Sequence, residues 1–272
     1  MSNKDWPVKL FRRSVHKQRK WKEIRSFLSD TEGLTCLDVG SDNGVISLML
    51  RERGGKWASA DLDDTAVNSI RNLVDRDVFK IDGGRTPFED DEFDRIVIVD
   101  FLEHIPNDGE FISELFRIMK PDGELIINVP HLKLNYLRRL RYLLGQTDEK
   151  HGHLRPGYTV GQLSKLLDGK FTIISHKSYS RFFSELIDTL ITFGYGLLQG
   201  NSAQAASNGT TKGVLVTEAE MKKYKKVFLI YSFIYPFVWL FAKLDALIFF
   251  RSGYLLMIKA KINKSSYVET GV

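Results

Sequence analysis

Apolar residues in the first two thirds of the chain follow two alternating patterns. Phe93 to Val99 is apolar nearly throughout, the pattern of a strand covered on both faces of a parallel sheet. Shorter strands are predicted through Cys36, in WASADL ending at Asp61, and over Val78 to Ile81, with Glu124 to Val129 following the turn Lys120–Gly123. Helical spacing falls between them. Val45 to Arg53 is closed by Gly54 and Gly55, and Asp64 to Val74 follows. Asn107 with Glu110 forms a capping box ahead of Phe111, Leu115, Ile118 and Met119, which share one face. Thr159 with Gln162 caps a further helix before a strand at Phe171 to Ser180, and Gly253 to Ile262 reads as the last strand. Strands separated by helices imply right-handed βαβ units. They build a doubly wound, mostly parallel sheet whose ligand lies at the carboxyl ends of the strands.

One connection carries chemistry. LDVGSDNG, Leu37 to Gly44, joins an apolar strand to a helix through glycines that let backbone N–H groups approach a ligand, and Asp61 ends the following strand in WASADL. A carboxylate there can hold both hydroxyls of a ribose, so the pair fits a nucleotide-like cofactor.

Four stretches in order, CLDVGSDNG, the acid Asp61, IDGGRTPFEDDEFDRIVIVDFLEHI and MKPDGELIINVPH, resemble the class I S-adenosylmethionine-dependent methyltransferases over roughly Glu32 to Leu167. The resemblance implies a seven-stranded Rossmann-like α/β sheet and S-adenosylmethionine as cofactor. By it, Gly40 and Gly44, with Asp38 beneath them, contact the methionine part, Asp61 holds the ribose, Asp82 beside Gly83 binds the adenine amino group, and Leu62 packs on the adenine face. The family usually has glycine at the middle of the turn, where this chain has Asp42. That carboxylate can receive the cofactor's ammonium or crowd its carboxylate. HGHLRPGYT, His151 to Thr159, resembles a segment that lies near the substrate in the same superfamily, which makes Arg155 and Tyr158 candidates for binding an acidic or phosphate-bearing acceptor.

The chain has 272 residues, 43% hydrophobic and 27% charged, which suits a globular α/β domain with an accessory element and excludes a disordered chain. Cys36 is the one cysteine and lies in an apolar strand, so no disulfide framework exists and a reducing cytoplasm is the expected home. The +5 net charge is unevenly spread. Residues 1–30 mix eight Lys and Arg from Lys9 to Arg25 with Trp6, Phe11, Trp21 and Phe27. They form either a basic amphipathic helix on an anionic surface or a cover packed over the cofactor.

The core domain spans 31–180, and the final strand spans 253–264, followed by a tail at 265–272. Residues 181–252 are a helical, apolar insertion between the last two strands, with an expected mobile loop at 200–216 and a capping box of Thr217 with Glu220. Lys222, Lys223, Lys225 and Lys226 precede an aromatic-rich run from Val227 to Ala242 that contains Pro236 and falls short of about 20 apolar residues. Its ends belong to one sheet, so a single crossing is excluded. A monotopic anchor, a bent hairpin dipping into a bilayer, and a buried lid or dimer interface all remain open, with membrane association favoured.

Methyl transfer to oxygen needs a base. His131, directly after a strand's carboxyl end, is the leading candidate, followed by His104, which can instead hold its loop, and His153. No metal site is expected, because His151 and His153 have no thiol or evident third ligand nearby in the sequence. The expectation is an O-methyltransferase of a hydrophobic or lipid-linked acceptor, a lipid-linked glycan or a quinone-like isoprenoid among them. It would be peripheral or monotopic on the inner face of the cytoplasmic membrane. A non-catalytic membrane scaffold retaining the fold is the alternative. A nucleic-acid methyltransferase fits less well, since it leaves the apolar insertion unexplained.

Overall fold

Phe93–Val99 folds as β4, and its neighbours on both faces explain the apolar run Ile96 to Val99. Ile96 and Ile98 join the core under one helical layer, while Val97 and Val99 join the core under the other. The computed structural model describes residues 6–133, 136–199 and 218–264. The expected mobile loop at 200–216, Thr217 of the expected capping box and the tail 265–272 lie outside the described residues.

Around β4 stand β1 (Thr35–Val39), β2 (Lys56–Asp61), β3 (Val78–Lys80), β5 (Met119–Pro130), β6 (Phe171–Tyr179) and β7 (Leu255–Ile262). Their order is β3-β2-β1-β4-β5-β7-β6. Register is parallel from β3 through β5, and β7 runs antiparallel between β5 and β6. The order reverses between β1 and β4, which opens a crevice at their carboxyl ends. The sheet is thus the doubly wound, mostly parallel one read from the sequence.

Helices cover both faces: α1 (Trp6–Phe11), α2 (Val15–Phe27) and α3 (Val45–Arg51) on one, α5 (Asp108–Ile118) and α7 (Val160–Leu167) on the other, with α4 (Asp64–Val74) between β2 and β3 and α6 (Tyr136–Leu143) after β5. The capping box expected at α7 forms, with Thr159 and Gln162 bonding reciprocally. At α5 it does not form. The Asn107 amide instead donates to the Glu110 carboxylate at 3.2 Å.

The insertion folds as an antiparallel helical hairpin. Its arms are α8 (Phe182–Gln199) and α10 (Lys225–Lys243), joined on the return side by the short α9 (Glu218–Lys223). Phe183 meets Phe241 near one end and Tyr195 meets Tyr224 near the other. The helix continues through Pro236, which lacks an N–H for the turn before it, and with the 3-10 turn Leu244–Ile248 gives a 24-residue apolar stretch. The run is therefore longer than the sequence reading allowed, and long and apolar enough to cross a bilayer. Only 11% of its most apolar window is buried.

Asp245 anchors this hairpin. It is buried, accepts from the backbone N–H groups of Arg181 (2.8 Å) and Phe183 (2.9 Å) at the start of α8, and pairs with Arg19 of α2. Val15, Ile187, Tyr235 and Ala242 form a small core where α2, α8 and α10 meet. At the exit, a Cβ on Gly253 would stand 1.9 Å from the Tyr179 carbonyl oxygen, so only glycine lets the hairpin re-enter beside β6.

Glu114 ties the loop after β3 to α5. Its carboxylate accepts from the Thr86 N–H (2.7 Å) and hydroxyl (2.6 Å) and from Arg117 Nε (2.8 Å). Burial opposes its ionisation, but these hydrogen bonds prevail and hold it at about 2, against 4.5 for an ordinary glutamate. A depressed folded pKa means that the stabilisation is complete above about pH 4.5 and is lost as pH falls towards 2. Glu114→Gln is expected to lower the urea midpoint at pH 7 and to flatten its fall within that window. Superimposable midpoint-versus-pH curves for the two proteins would contradict this.

Candidate functional site

At the carboxyl end of β1 the chain must turn sharply into α3. Gly40 (φ +90°) and Gly44 (φ +79°) take left-handed conformations, and a Cβ on Gly44 would lie 2.8 Å from Ile70 Cα. Asp42 also takes the left-handed region, at φ +51°, which Asp reaches more easily than most residues. The turn therefore keeps its conformation where the family has glycine.

Beneath it, Asp38 is fully buried. One carboxylate oxygen accepts from the hydroxyls of Ser41 and Ser47 (2.7 Å to Ser47), and the other accepts from Ser59 (2.7 Å) with Arg51 at 3.5 Å. Asp38 thus serves the turn and does not face the crevice. Asp61, also buried, accepts from the Asp42 N–H (3.2 Å) and the Leu62 N–H (2.8 Å). A carboxylate in this place is of the right chemistry to accept from ribose hydroxyls. Leu62 is buried beside it. Asp82 is exposed and closes a turn onto the Gly84 N–H at 2.8 Å, with Gly83 packed over Ile105. Left-handed glycines, a carboxylate at the end of β2 and a second one past β3 make a donor and acceptor set suited to an adenosine bearing a sulfonium.

Next to Asp42 lies a cavity of about 310 Å³, walled by the ends of β4 and β5, α6, the 146–156 loop and α8. His131, His104 and His153, far apart in sequence, all line it. So do His16 and His151, which brings five of the chain's six histidines to one space. His131 Nδ1 lies 3.0 Å from the Gly253 carbonyl and His104 Nδ1 lies 3.0 Å from that of Gly152. A carbonyl can only accept, so both rings donate through Nδ1, and in the neutral tautomer this selects, Nε2 is the accepting nitrogen.

Burial, and then neighbouring His104 and His151, pull His153 down to about 4; burial pulls His16 to about 4 and lowers His151. These rings are neutral near pH 7. Burial also lowers Lys133, against the opposing pull of Glu185 at 3.4 Å.

Arg155 and Tyr158 stand elsewhere. Arg155 donates to the carbonyls of Leu102 (3.2 Å) and Pro106 (2.9 Å) and to Tyr158 (2.8 Å), and the Tyr158 hydroxyl donates to Asp108 (2.9 Å). Neither lines the cavity. They form a buckle that fastens the 151–158 segment onto the 102–108 turn, so a direct hold on the acceptor, as expected from the sequence, is not their position in the fold.

The cationic lining comes from Lys133, Arg138 and Arg141. Arg138 pairs with Asp148 at 2.8 Å and Arg141 with Asp188 at 3.8 Å. Helical spacing of Arg138 and Arg141 was the available signal, because three residues apart they share a face. The N-terminal segment acts as a cover. Trp21 and Ile24 are buried, and Lys20 pairs with Asp100, whose other oxygen accepts from Asn128 at 2.7 Å. Lys9, Arg12, Lys22 and Arg25 remain exposed.

Residues 37–127 match a methyltransferase domain family. Among curated proteins, the chain is 26% identical over 135 residues to a demethylmenaquinone methyltransferase of Tropheryma whipplei, covering 44% of this chain and 56% of that one. It is also 26% identical over 132 residues to a ubiquinone biosynthesis O-methyltransferase of Rickettsia bellii, covering 46% and 55%. The chain thus spans just over half the length of these curated relatives. Among solved structures, the [4+2]-cyclase SpnF aligns with TM-score 0.58 at 18% identity over 90% of this chain and 80% of its own. A SAM-dependent methyltransferase of Archaeoglobus fulgidus aligns with TM-score 0.54 at 15% identity over 90% and 93%. At such identities the likeness is one of fold.

Asp38→Ala would leave three buried hydroxyls and Arg51 without their acceptor, a loss of about 3–5 kcal/mol. Chemical denaturation is the check, and a loss below about 1 kcal/mol, the range of an ordinary substitution, would contradict the structural role assigned to this residue.

Proposed function

We propose, for a chain that belongs to the class I S-adenosylmethionine-dependent methyltransferase superfamily, that it methylates an oxygen of an amphiphilic acceptor at a membrane surface. The observation that carries this reading is the adjacency of three parts: the turn Gly40–Gly44 with Asp61, the histidine-lined cavity beside Asp42, and the exposed apolar hairpin whose α8 forms a wall of that cavity. Its lining is polar and charged, so the acceptor presents a polar, hydroxyl-bearing end there. An apolar remainder would lie along Phe233, Phe237, Leu240 and the adjoining bilayer.

When bound, S-adenosylmethionine supplies a methyl on a positively charged sulfur, so that transfer leaves a neutral thioether. The protein's share is to hold acceptor and methyl in line and to take a proton. His131 suits the role of base, because Gly253 fixes its Nδ1–H and its Nε2 can accept the hydroxyl proton as the oxygen bonds to carbon. Lys222, Lys223, Lys225 and Lys226 are exposed near the start of α10, where they match anionic headgroups, and Lys243 packs 4.2 Å over Trp239 at the other end. A buried Cys36, whose thiol is raised to about 12 first of all by burial, suits a reducing compartment, in keeping with the inner, cytoplasmic face.

The relatives that act on menaquinone and ubiquinone precursors by name are in keeping with an isoprenoid quinone-like acceptor. Calorimetric titration with S-adenosylmethionine is expected to show one site, weakened about tenfold or more by Asp61→Ala, in line with a hydrogen bond to a charged group contributing about 1.5–3 kcal/mol. Silence from the unaltered protein would end the enzyme reading. For the membrane, Phe233→Glu with Phe237→Glu, at side chains 81% and 69% exposed, is expected to abolish co-sedimentation with anionic phospholipid vesicles while leaving the helical content unchanged. Equal sedimentation of both proteins, or none by either, would end the anchor reading.

A further inference from the structure

The buckle of Arg155 and Tyr158 brings two segments some fifty residues apart into contact. Leu154 N–H donates to the Glu103 carbonyl at 2.8 Å, and the His153 ring lies edge-on to that of His104 with centroids 4.9 Å apart. Hydrogen bonds near each end of the loop set this overlap, so the position of His153 does not depend on a mobile side-chain contact alone.

We infer that Glu103, His104 and His153 form a binding site for one divalent transition-metal ion, facing the acceptor cavity. One ligand atom from each lies within 4.8 Å of the others. Two imidazoles and a carboxylate suit Zn²⁺, Mn²⁺, Fe²⁺ or Co²⁺, whereas Mg²⁺ and Ca²⁺ favour all-oxygen shells. Bond lengths of about 2.0–2.2 Å would draw the donors to about 3.3 Å apart, which side-chain rotation can supply. Glu103 is fully buried and His104 nearly so, so an ion held between them would be shielded from bulk water.

Gly152 holds His104 by Nδ1 at 3.0 Å, which leaves Nε2 as the ligating nitrogen, the arrangement usual for metal-bound histidine. Three protein ligands leave positions open towards the cavity, as catalytic rather than structural sites do. The third ligand that sequence spacing around His151 and His153 does not offer is thus supplied by tertiary structure, from the turn after β4.

Binding of the ion stands apart from the methyl-transfer reading; its use rests on that reading. An acceptor hydroxyl bound to the ion would be more acidic, so His131 could take its proton near neutral pH. The oxygen pair then forms the bond to the methyl carbon, the carbon–sulfur bond breaks, and its electron pair stays on the departing neutral sulfur.

The test uses the full chain, stripped with a chelator and dialysed against Zn²⁺ or Co²⁺, with metal content measured by mass spectrometry and Co²⁺ by its visible absorption. One equivalent is expected in the unaltered protein and in His176→Ala, a variant of an exposed histidine on β6 that serves as control. Glu103→Gln and His153→Ala are each expected to weaken binding about tenfold or more, with melting temperature and S-adenosylmethionine titration unchanged. Should the unaltered protein retain no stoichiometric ion, or should both variants bind as it does, the site is refuted. Refutation of the site together with intact S-adenosylmethionine binding leaves the methyltransferase reading standing. Metal binding without S-adenosylmethionine binding would remove that reading and keep the site.

Discussion

A single buried carboxylate sets the geometry on which the site depends. Asp38 sits at zero exposure at the end of β1, where an uncompensated charge would be costly, and its two oxygens collect hydroxyls from the turn (Ser41), from α3 (Ser47) and from β2 (Ser59). The strand, the turn and the helix are thereby held in one relation. With that relation set, Gly40 and Gly44 present their backbone at the crevice and Asp42 is carried to the edge of the cavity. Its oxygens serve the protein's own groups, which leaves Asp61, one strand over, as the candidate for the ribose contact proposed above.

The insertion resolves an apparent conflict between a charged cavity and an apolar chain segment. On α8, Glu185 and Asp188 face the cavity with Lys133 and Arg141, while Phe183 packs against Phe241 of α10. One helix therefore has a polar side that closes the site and an apolar side that carries the hairpin. Its partner α10 buries little beyond Tyr235 and Ala242 and leaves a broad apolar surface. Patches of that size on a protein mark contact with something apolar.

The basic N-terminal segment divides in a similar way. Arg19 and Lys20 pair with Asp245 and Asp100, and Gln18 donates to the Tyr235 hydroxyl at 2.6 Å, so α2 both roots the hairpin and covers the end of the sheet. Of the two readings open in the sequence, the cover is the one these contacts form. Lys9, Arg12, Lys22 and Arg25 keep the outward side charged.

Local patterns carried most of the architecture. A nearly continuous apolar run marked Phe93 to Val99 as a doubly covered strand, and glycine spacing with Asp61 marked the turn, because periodicity and turn chemistry are properties of neighbours in sequence. The capping box at Thr159 was readable for the same reason, while that at Asn107 failed because its amide found the Glu110 carboxylate instead. The assembly of His16, His104, His131, His151 and His153 around one cavity, the diversion of Arg155 and Tyr158 into a buckle and the anchoring role of Asp245 had no local signature. Each joins segments far apart in the chain that strand order and loop packing bring together. Such partnerships are decided by the tertiary fold, since burial and hydrogen-bond demand act through space and leave no period along the chain.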